Sequence, residues 1–468
     1  MASAVVLGGG LAGMLAATAV ARHVDQVTIV ESDTFPDTPR PRRGLPQGYH
    51  NHTLLSGGAR ALDSLLPGTT EKLYAAGAKR RRMSQDMMML TADGYYVRHY
   101  CTAFMLACSR DLIDHVVRQR VLGDPAVHLL ERTEVLGLAG DAGKVSGVRI
   151  KEADRDERVL AADLVVDATG RRSKTPQWLV ELGLPQVKEE VLDAGFAYSS
   201  RLFQAPVQAG EEFPGILMQA VGNTGEPGRG AALLPNEDGR WIVALIGTRG
   251  GHPPTDEAGF MDFARSLPHP VLSQLLETAQ PLGPIRAYRG LANQRRRYDK
   301  LRMPENFLVI GDAAQALNPN YATGMSVASL GAVVLRTQLK RQGLTPGLVG
   351  KVQSGITKAG LGPWQNATTT DQWFPRVESN FKPMGGAMMR RFSSRVSRTA
   401  AVDHGVCNAV VNVGCLDAPP TAMMTPAVMR TVLRKPRRAQ LTADEAFSQF
   451  PEFTDLLAAV ADGSAPQE

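Results

Sequence analysis

The N-terminal 31 residues contain the feature that most constrains the fold of this chain. Residues 4–7 are an apolar run, which predicts a buried strand. A turn with glycines at positions 8, 10 and 13 follows, and residues 11–24 are rich in alanine and leucine, which predicts a helix. A second apolar strand is predicted over residues 27–30. This order of strand, turn, helix and strand is typical of the first unit of a dinucleotide-binding domain.

Each glycine of this turn has a physical task. Gly8 permits the tight turn, Gly10 lets a pyrophosphate approach the backbone, and Gly13 lets the helix pack closely on the strand. The free N–H groups at the helix N-terminus favour phosphate. Glu31, which follows the second strand, can accept the hydroxyls of an adenosine ribose. The unit therefore predicts a dinucleotide site, but it leaves open whether the ligand is NAD(P) or FAD.

The composition limits the class of protein. The chain has 468 residues, of which 43% are hydrophobic and 21% are charged, as in a globular protein of two or three domains. It has no apolar run of about 18 or more residues and no secretory signal pattern, so we expect no membrane span and a cytoplasmic location. The four cysteines form no CxxC pair, so no metal site is expected.

The charge distribution leaves two interpretations open. The net charge is +6, and basic residues cluster at 79–82, 295–297 and 435–438. A solvated surface explains such clusters, and docking of an acidic partner or a carboxylated substrate is the alternative. Aromatic residues make up only 6% of the chain and nothing resembles a nucleic-acid-binding module, so no nucleic-acid partner is expected. The oligomeric state is left open.

A second strong signal lies almost 300 residues after the first. Residues 307–310 form an apolar strand that ends at Gly311-Asp312, and a helix is predicted from Gly324-Met325 to about residue 339. Asp312 can bind a polyol hydroxyl, and the helix N-terminus can face an anion. Residues 187–289, between the two signals, have the alternating pattern of strands. The late return to a parallel strand predicts a sheet inserted into a doubly wound α/β domain.

Two further stretches each have a functional and a purely structural interpretation. Arg110 follows a predicted N-cap, Ser109, and a cation in the first helical turn is explained if it faces a phosphate, although it can also be solvated. Residues 87–89 are three methionines beside a predicted hairpin at Asp93-Gly94. They either pack in a core or form one wall of an apolar substrate pocket.

Together these motifs resemble those of the single-component FAD-dependent monooxygenases of the aromatic-hydroxylase type. The resemblance spans about residues 4–340, and segments 43–52 and 318–326 are most similar to the flavin epoxidases of polyether antibiotic biosynthesis. It implies an α/β fold with a Rossmann-like FAD-binding domain, an inserted β-sheet substrate domain and a helical C-terminal region. The residues that it assigns to FAD are Gly8, Gly10, Leu11, Ala12, Gly13, Glu31, Arg43, Arg110, Gly311, Asp312, Pro319, Gly324 and Met325.

We expect the FAD-binding domain to comprise residues 1–82, 101–180 and 290–345. The β-rich substrate domain is expected over residues 83–100 and 181–289, and the helical region over residues 346–468. Two positions depart from the family. Thr169-Gly170 stands where aromatic hydroxylases have Asp-Gly, which puts the NADPH contact of that motif in question, and Gln315 stands where they usually have histidine.

The resemblance implies that bound FAD is reduced by transient NAD(P)H and reacts with O2 through a C4a-hydroperoxyflavin. It implies that the product is an epoxide of a lipophilic, polyketide-like polyene. Such chemistry is borne by the flavin and needs a dry apolar pocket rather than a protein base, so no catalytic side chain is assigned. Met87, Met89 and Tyr321 are the candidate pocket residues.

Other functions remain as alternatives. The first is a hydroxylase of an aromatic or polyketide substrate, and the second is a flavin-dependent C=C reductase. A flavin halogenase is disfavoured, because its WxWxIP signature is missing around the four tryptophans. The last is a non-catalytic flavin-bound scaffold that contacts a carrier protein or a cyclase through the basic clusters.

Overall fold

The chain is built from parallel and antiparallel sheets with helices on their faces. The computed structural model describes residues 1–153, 155–222, 224–434 and 438–462. The strands are β1 (Ser3–Leu7), β2 (Gln26–Val30), β3 (Thr53–Leu55), β4 (Lys79–Arg82), β5 (Met87–Thr91), β6 (Gly94–Tyr95), β7 (Phe104–Ala107), β8 (Val127–Leu130), β9 (Thr133–Gly140), β10 (Val145–Glu152), β11 (Arg158–Ala161), β12 (Leu164–Asp167), β13 (Glu189–Asp193), β14 (Ala197–Gln204), β15 (Gly215–Met218), β16 (Arg229–Pro235), β17 (Arg240–Gly247), β18 (Gln280–Tyr288), β19 (Asn293–Arg296), β20 (Phe307–Val309), β21 (Gln315–Ala316) and β22 (Glu378–Ser379).

The α-helices alternate with these strands in the first two thirds of the chain and dominate the last third. They are α1 (Leu11–Val20), α2 (Ser56–Leu65), α3 (Thr69–Ala75), α4 (Arg110–Leu122), α5 (Thr175–Glu181), α6 (Glu257–Arg265), α7 (Val271–Thr278), α8 (Gly324–Gln342), α9 (Leu348–Ala359), α10 (Leu361–Asp371), α11 (Ala387–Val402), α12 (His404–Gly414), α13 (Pro426–Leu433), α14 (Ala443–Ser448) and α15 (Pro451–Ala461).

A five-stranded parallel sheet brings the two sequence motifs together. Its order is β20-β12-β1-β2-β8, and every neighbouring pair is parallel. The predicted apolar runs form β1, β2 and β20, and the α1 and α8 helices that follow two of them pack against each other. Because the carboxyl ends of parallel strands meet at one edge, the turns after β1 and β20 lie side by side although about 300 residues separate them.

The ends of two predicted helices differ from the structure. α1 ends at Val20 rather than at residue 24, because residues 21–25 must turn back to begin β2 at Gln26. α8 begins at Gly324 as predicted but continues to Gln342, a few residues beyond the prediction. Gly343 ends it with a φ of +63°, a conformation that glycine adopts at little cost.

The inserted segment forms a seven-stranded sheet with the order β18-β14-β17-β16-β15-β5-β6. Its edge is the predicted hairpin at Asp93-Gly94, and β5, which carries the three methionines, pairs in parallel with β15. We therefore propose the domain division given above, since residues 87–95 belong by their hydrogen bonds to the sheet made mostly of residues 197–288.

The C-terminal helices cover both faces of this sheet. α15 packs Phe453 and Leu456 into the cluster that contains Trp241 and Val243, whereas α11 and α12 pack Val396 and Val411 into the cluster that contains Met87 and Met89. No helix in the described part of the chain is long and apolar enough to cross a membrane.

Candidate cofactor and substrate site

One large cavity, with a volume of about 2970 Å³, connects the two sequence motifs with the inserted sheet and the C-terminal helices. Its lining includes fourteen of the residues predicted from the sequence: Gly8, Gly10, Leu11, Ala12, Glu31, Arg43, Met87, Met89, Arg110, Asp312, Pro319, Tyr321, Gly324 and Met325. Two predicted residues, Gly13 and Gly311, are not part of this lining.

The three glycines of the first turn have different surroundings. Gly8 has a φ of +92°, and a Cβ atom there would lie 2.9 Å from the carbonyl oxygen of Ala168. A Cβ atom on Gly13 would lie 1.8 Å from the carbonyl oxygen of Gly8, so Gly13 serves the packing of α1 on the turn. A Cβ atom on Gly10 would meet nothing within 4 Å, and Gly10 lines the cavity. The open space for a ligand is therefore at Gly10.

Gly311 also has a packing role. Its φ is +64°, and a Cβ atom there would lie 2.7 Å from the Cβ of Ala12. This close approach lets the turn after β20 lie against the N-terminus of α1. Gly311 thus brings its neighbour Asp312 to the cavity without lining the cavity itself.

Glu31 is buried at the end of β2 and is already hydrogen-bonded. One carboxylate oxygen accepts the Gly9 N–H at 2.9 Å, and the other accepts the Asp33 N–H at 3.0 Å. The Ser32 hydroxyl also donates to Oε1, at 3.3 Å. A carboxylate has about four acceptor positions, so Oε2 keeps capacity for a ribose hydroxyl.

Two arginines bring unpartnered N–H groups to the same wall. Arg42 is buried and lies 3.2 Å from Asp114, and its Nη1 lies 3.6 Å from carboxylate oxygens of Glu31 and Asp33 without forming a hydrogen bond. Arg110 begins α4 beneath the Ser109 cap, is 7% exposed, and has an unpartnered Nε. Burial lowers the pKa of Arg110, and the positive charge of Arg42 lowers it further. Buried cationic donors without partners fit an anion such as a pyrophosphate.

The sequence assigned Arg43 rather than Arg42 to the cofactor. Arg43 lines the cavity but is exposed, whereas Arg42 is the buried member of the pair and forms ion pairs with Glu31 and Asp33. The two arginines are adjacent in a loop without regular periodicity, so no local signal distinguishes them.

The second motif places polar groups on the opposite part of the cavity. Burial raises the pKa of the Asp312 carboxyl, and the charges of Arg171 and Arg110 oppose that shift. The buried hydroxyl of Thr323 has no hydrogen-bond partner and immediately precedes Gly324, where α8 begins. A carboxylate, a free hydroxyl and a helix N-terminus fit the ribityl and ring portions of a flavin.

The segment around Thr169-Gly170 is organised by a residue that the sequence analysis missed. Asp167, at the end of β12, is fully buried and accepts hydrogen bonds from the Thr169 backbone and hydroxyl at 2.8 and 2.6 Å. The hydroxyls of Ser173 and Thr175 also donate to it, at 2.5 and 2.6 Å. The available sequence signal was an acid at the end of an apolar strand, followed by three residues with side-chain hydroxyls.

The other position that departs from the family is Gln315. Its side-chain amide donates to the carbonyl of Gly360 at 2.9 Å and so joins β21 to α10.

The remaining walls of the cavity combine apolar side chains with polar and charged ones. Met87 and Met89 of β5 border the cavity together with Met83 and Met105, and all four also pack in one buried apolar cluster, so their role as pocket residues stays a prediction. A further part of the lining comes from α11 and α12, where the apolar Phe392, Val396 and Val410 alternate with polar and basic residues such as Arg391 and Arg395. The sequence analysis assigned no role to these helices, because an amphipathic helix without a motif does not reveal what it covers.

Two histidines of the loop before β3 stay neutral at the cavity. Burial lowers the pKa of His50 to about 4, and its Nδ1 lies 2.8 Å from the Ser200 hydroxyl. Burial and the charge of Arg110 lower the pKa of His52 to about 3. Among the described residues, no group of three or more His, Cys, Asp or Glu side chains could hold a metal ion.

Two of the three basic clusters are paired within the chain. Lys79 lies 3.0 Å from Glu211, and Arg81 is almost fully buried. In the second cluster, Arg296 pairs with Glu189 at 2.8 Å and Arg297 with Asp299 at 2.8 Å. These clusters therefore give no support to a docking surface. In the third, residues 435–437 lie outside the described residues. A carrier-protein or cyclase contact stays a prediction.

Comparisons with known proteins agree with this geometry. The family described as FAD binding domain matches residues 1–341. Protein Rv3254 of Mycobacterium tuberculosis is 33% identical over 354 residues, which cover 72% of this chain and 73% of that protein. Kynurenine 3-monooxygenase of Salinispora tropica is 27% identical over 351 residues, which cover 71% of each.

Solved structures share the fold at low identity. p-Nitrophenol 4-monooxygenase PnpA from Pseudomonas putida superimposes with a TM-score of 0.62 and 17% identity, over 94% of this chain and 100% of that chain. The flavin-dependent brominase Bmp2 superimposes with a TM-score of 0.60 and 13% identity, over 98% of both chains. The family match shows that the chain belongs to the FAD binding domain family, and the fold and the two motifs around one cavity agree with this membership.

Proposed function

We propose that this chain is an FAD-dependent monooxygenase that uses O2 and NAD(P)H to epoxidise C=C bonds of a lipophilic, polyketide-like polyene. The single observation that carries this proposal is the continuity of the cavity. It extends from the polar surroundings of Gly10 and Asp312 to a chamber lined by the methionines of β5 and by residues of the helices α11 and α12. A flavin in the polar part would share this cavity with a substrate that lies against the methionines.

The polar part of the cavity fits FAD. Gly10 leaves room for the pyrophosphate, and Arg42 and Arg110 offer it unpartnered N–H groups. Glu31 would accept the adenosine ribose hydroxyls, and Asp312 would accept those of the ribityl chain. When bound, the flavin would accept electrons from NAD(P)H and activate O2.

The chain's own contribution is to bind the substrate and exclude water. Met87 and Met89 present flexible, polarisable side chains that adapt to an apolar substrate. Phe392 and Val396 of α11 add apolar surface to the lining of the chamber. Because His50 stays neutral above a pH of about 4, it adds no charge that would draw water into the cavity at neutral pH.

The test is the fate of molecular oxygen. The FAD-loaded protein is incubated with NADPH or NADH, ¹⁸O2 and a panel of linear polyenes, and the products are analysed by mass spectrometry. We expect substrate-dependent O2 uptake and one ¹⁸O atom in an epoxide or its diol. Turnover under anaerobic conditions with a saturated product would instead identify a C=C reductase.

Two matched variants of Met89 test whether this wall of the chamber keeps NAD(P)H consumption coupled to oxygenation. Met89 is 7% exposed, so Met89→Leu keeps an apolar wall of similar volume and should keep coupled oxygenation. Met89→Glu places a carboxylate in the same position and should admit water, so that more of the consumed NAD(P)H yields hydrogen peroxide instead of product. Equal coupling in both variants would contradict the assignment of the chamber.

Hydroxylation of an aromatic or polyketide substrate is the second candidate. It is favoured by Tyr321, whose phenol lines the cavity and donates to a buried carboxylate at 2.6 Å, which gives a substrate hydroxyl a polar anchor. Kynurenine 3-monooxygenase, the relative with 27% identity, has an aromatic substrate in its name. The same ¹⁸O experiment with phenolic substrates distinguishes the candidates, because the label then appears as a new phenolic hydroxyl.

A further inference from the structure

A buried carboxylate from the C-terminal region lies behind the cavity wall. Asp371, the last residue of α10, is 1% exposed and lies outside the segment that matches the family. Its Oδ1 accepts the hydroxyl of Tyr321 at 2.6 Å. Its Oδ2 accepts the side-chain amides of Asn293 and Asn318, at 2.7 and 3.0 Å.

The two amides determine where Asp371 can carry a proton. The Asn318 Oδ1 accepts the backbone N–H of Asn320 at 3.1 Å, so its Nδ2 must donate to Asp371. The Asn293 Oδ1 accepts the backbone N–H of Asn318 at 2.8 Å, so its Nδ2 must donate as well. The Asp371 Oδ2 thus faces two N–H groups. A proton on this carboxyl must sit on Oδ1, the oxygen that faces Tyr321.

The protonation state of Asp371 therefore sets the direction of its hydrogen bond with the Tyr321 hydroxyl. When Asp371 is ionised, Tyr321 must donate to it, and the phenol oxygen keeps only lone pairs for any other partner, of which Thr370 is one. When Asp371 is protonated, its O–H donates to the phenol oxygen. The Tyr321 proton is then free to point to Thr370 or into the cavity.

We propose that Asp371, acting through Tyr321, is a specificity-determining residue that sets whether the cavity wall accepts a hydrogen bond from a substrate hydroxyl or donates one to a substrate carbonyl. This rests on the proposed substrate cavity but not on the reaction that the flavin performs. Tyr321 is the group that touches the substrate, and Asp371 is the positioning residue behind it.

The groups around Asp371 favour a change of its protonation state in an accessible pH range. Burial raises the pKa of Asp371 to about 6, and the charge of Asp193 on β13 contributes to the rise. The hydrogen bonds from Tyr321 and the two amides act in the opposite direction. Arg295 on β19 forms an ion pair with Glu190, so its charge is compensated. Tyr198 on β14 donates to the same Asn318 and stays neutral, because burial raises its pKa well above the usual value.

The conservative variant Asp371→Asn should lock one state. The oxygen of the introduced amide must face the two amide donors, since its NH2 group would repel them. The NH2 group then faces Tyr321 and donates to the phenol oxygen. This variant should therefore reproduce the protonated form at every pH, with the phenol proton free to donate into the cavity.

The test uses two probes of nearly equal shape, cyclohexanone and cyclohexanol, with the FAD-loaded protein. A ketone only accepts hydrogen bonds, whereas an alcohol also donates, so their affinity ratio reports the direction of the Tyr321 bond. Binding is followed by the change in flavin absorbance. We expect the ketone-to-alcohol affinity ratio to fall by about threefold to tenfold between about pH 5 and about pH 8, the effect of one hydrogen bond.

Three variants make the expectation specific. In Asp371→Asn the ratio should stay at its high, low-pH value throughout, and in Tyr321→Phe, which can neither donate nor accept a hydrogen bond, it should be independent of pH. Tyr198→Phe, which removes a phenol of the same network that does not contact Asp371, should keep the pH dependence. A ratio in the wild-type protein that is independent of pH, or that changes in the same way in Asp371→Asn, would overturn the proposal.

An infrared measurement shows whether Asp371 changes its protonation state, independently of the affinity ratio of the probes. The pH-difference spectrum of the wild-type protein should contain a carboxylic acid C=O band that is missing in Asp371→Asn. If this band titrates while the probe ratio stays constant, Asp371 changes its protonation without controlling the cavity, and the proposal is wrong. Neither measurement requires O2 consumption, so failure of the proposed monooxygenase activity would be recognised separately.

Discussion

Gly10 and Gly13 belong to one motif, but substitution by alanine should affect different properties. Gly13→Ala should destabilise the protein whether or not FAD is present, because its Cβ would lie 1.8 Å from a backbone oxygen. Gly10→Ala should leave the fold of the apo-protein nearly unchanged, because its Cβ would meet nothing within 4 Å. It should weaken FAD binding instead, since that open space borders the cavity.

The magnitudes follow from the geometry. A carbon and a carbonyl oxygen need about 3.3 Å, so α1 and the Gly8 turn would have to separate by about 1.5 Å. Overpacking of this kind costs about 1–3 kcal/mol, and the better helix propensity of alanine returns about 1 kcal/mol. Because the obstacle is backbone, we expect the upper part of the range, a net loss of about 2 kcal/mol. Gly10→Ala has an allowed N-cap φ of −74° and should cost less than about 1 kcal/mol.

The assay measures stability and affinity separately. Urea unfolding of the flavin-free proteins gives the free energy of unfolding, and quenching of FAD fluorescence gives the dissociation constant. Gly10→Ala should bind FAD at least about tenfold more weakly, a loss of about 1.4 kcal/mol. Wild-type affinity in Gly10→Ala, or wild-type apo-protein stability in Gly13→Ala, would refute the reasoning.

Three further predictions concern buried ionisable residues. Arg110→Met should lower FAD affinity by more than about tenfold without lowering the stability of the flavin-free protein, because a buried cation whose Nε has no hydrogen-bond partner is removed; lower stability in urea would contradict this. Asp167→Asn should lower the free energy of unfolding by about 2–4 kcal/mol, because a buried charge that accepts four hydrogen bonds is lost; an unchanged urea midpoint would refute that role. The pKa of His50 falls from 6.5 to about 4 on folding, so its stability contribution is present above pH 6.5 and is lost as the pH falls. Relative to His50→Gln, the wild-type protein should therefore lose about 1–2 kcal/mol between pH 7 and pH 5, and parallel pH profiles would contradict the burial of this group.

The fold was predictable from the sequence where the signals were local. The turn from Gly8 to Gly13 and the strand before Asp312 each combine an apolar run with a required turn geometry, and both were found where they were predicted. The position of Ser109 as a helix cap was equally local, and its hydroxyl accepts the Leu112 N–H at 3.2 Å.

The parts of the site that the sequence did not reveal depend on contacts between distant segments. Asp371 meets Asn293 and Tyr321 only after α10 packs beside β19, and nothing within residues 361–371 marks it as different from a surface acid. The choice of Arg42 over Arg43 depends on which side chain turns toward Asp114. The wall made by α11 and α12 depends on docking to the inserted sheet, which apolar periodicity alone does not specify.

The most direct test of the central claim is a crystal structure of the protein reconstituted with FAD. The account predicts one FAD per chain, with the pyrophosphate at Gly10 and Arg110, the ribityl hydroxyls at Asp312, and the flavin ring toward the chamber bounded by Met87 and Met89. A protein that takes up no FAD, or that binds it outside this cavity, would contradict the account.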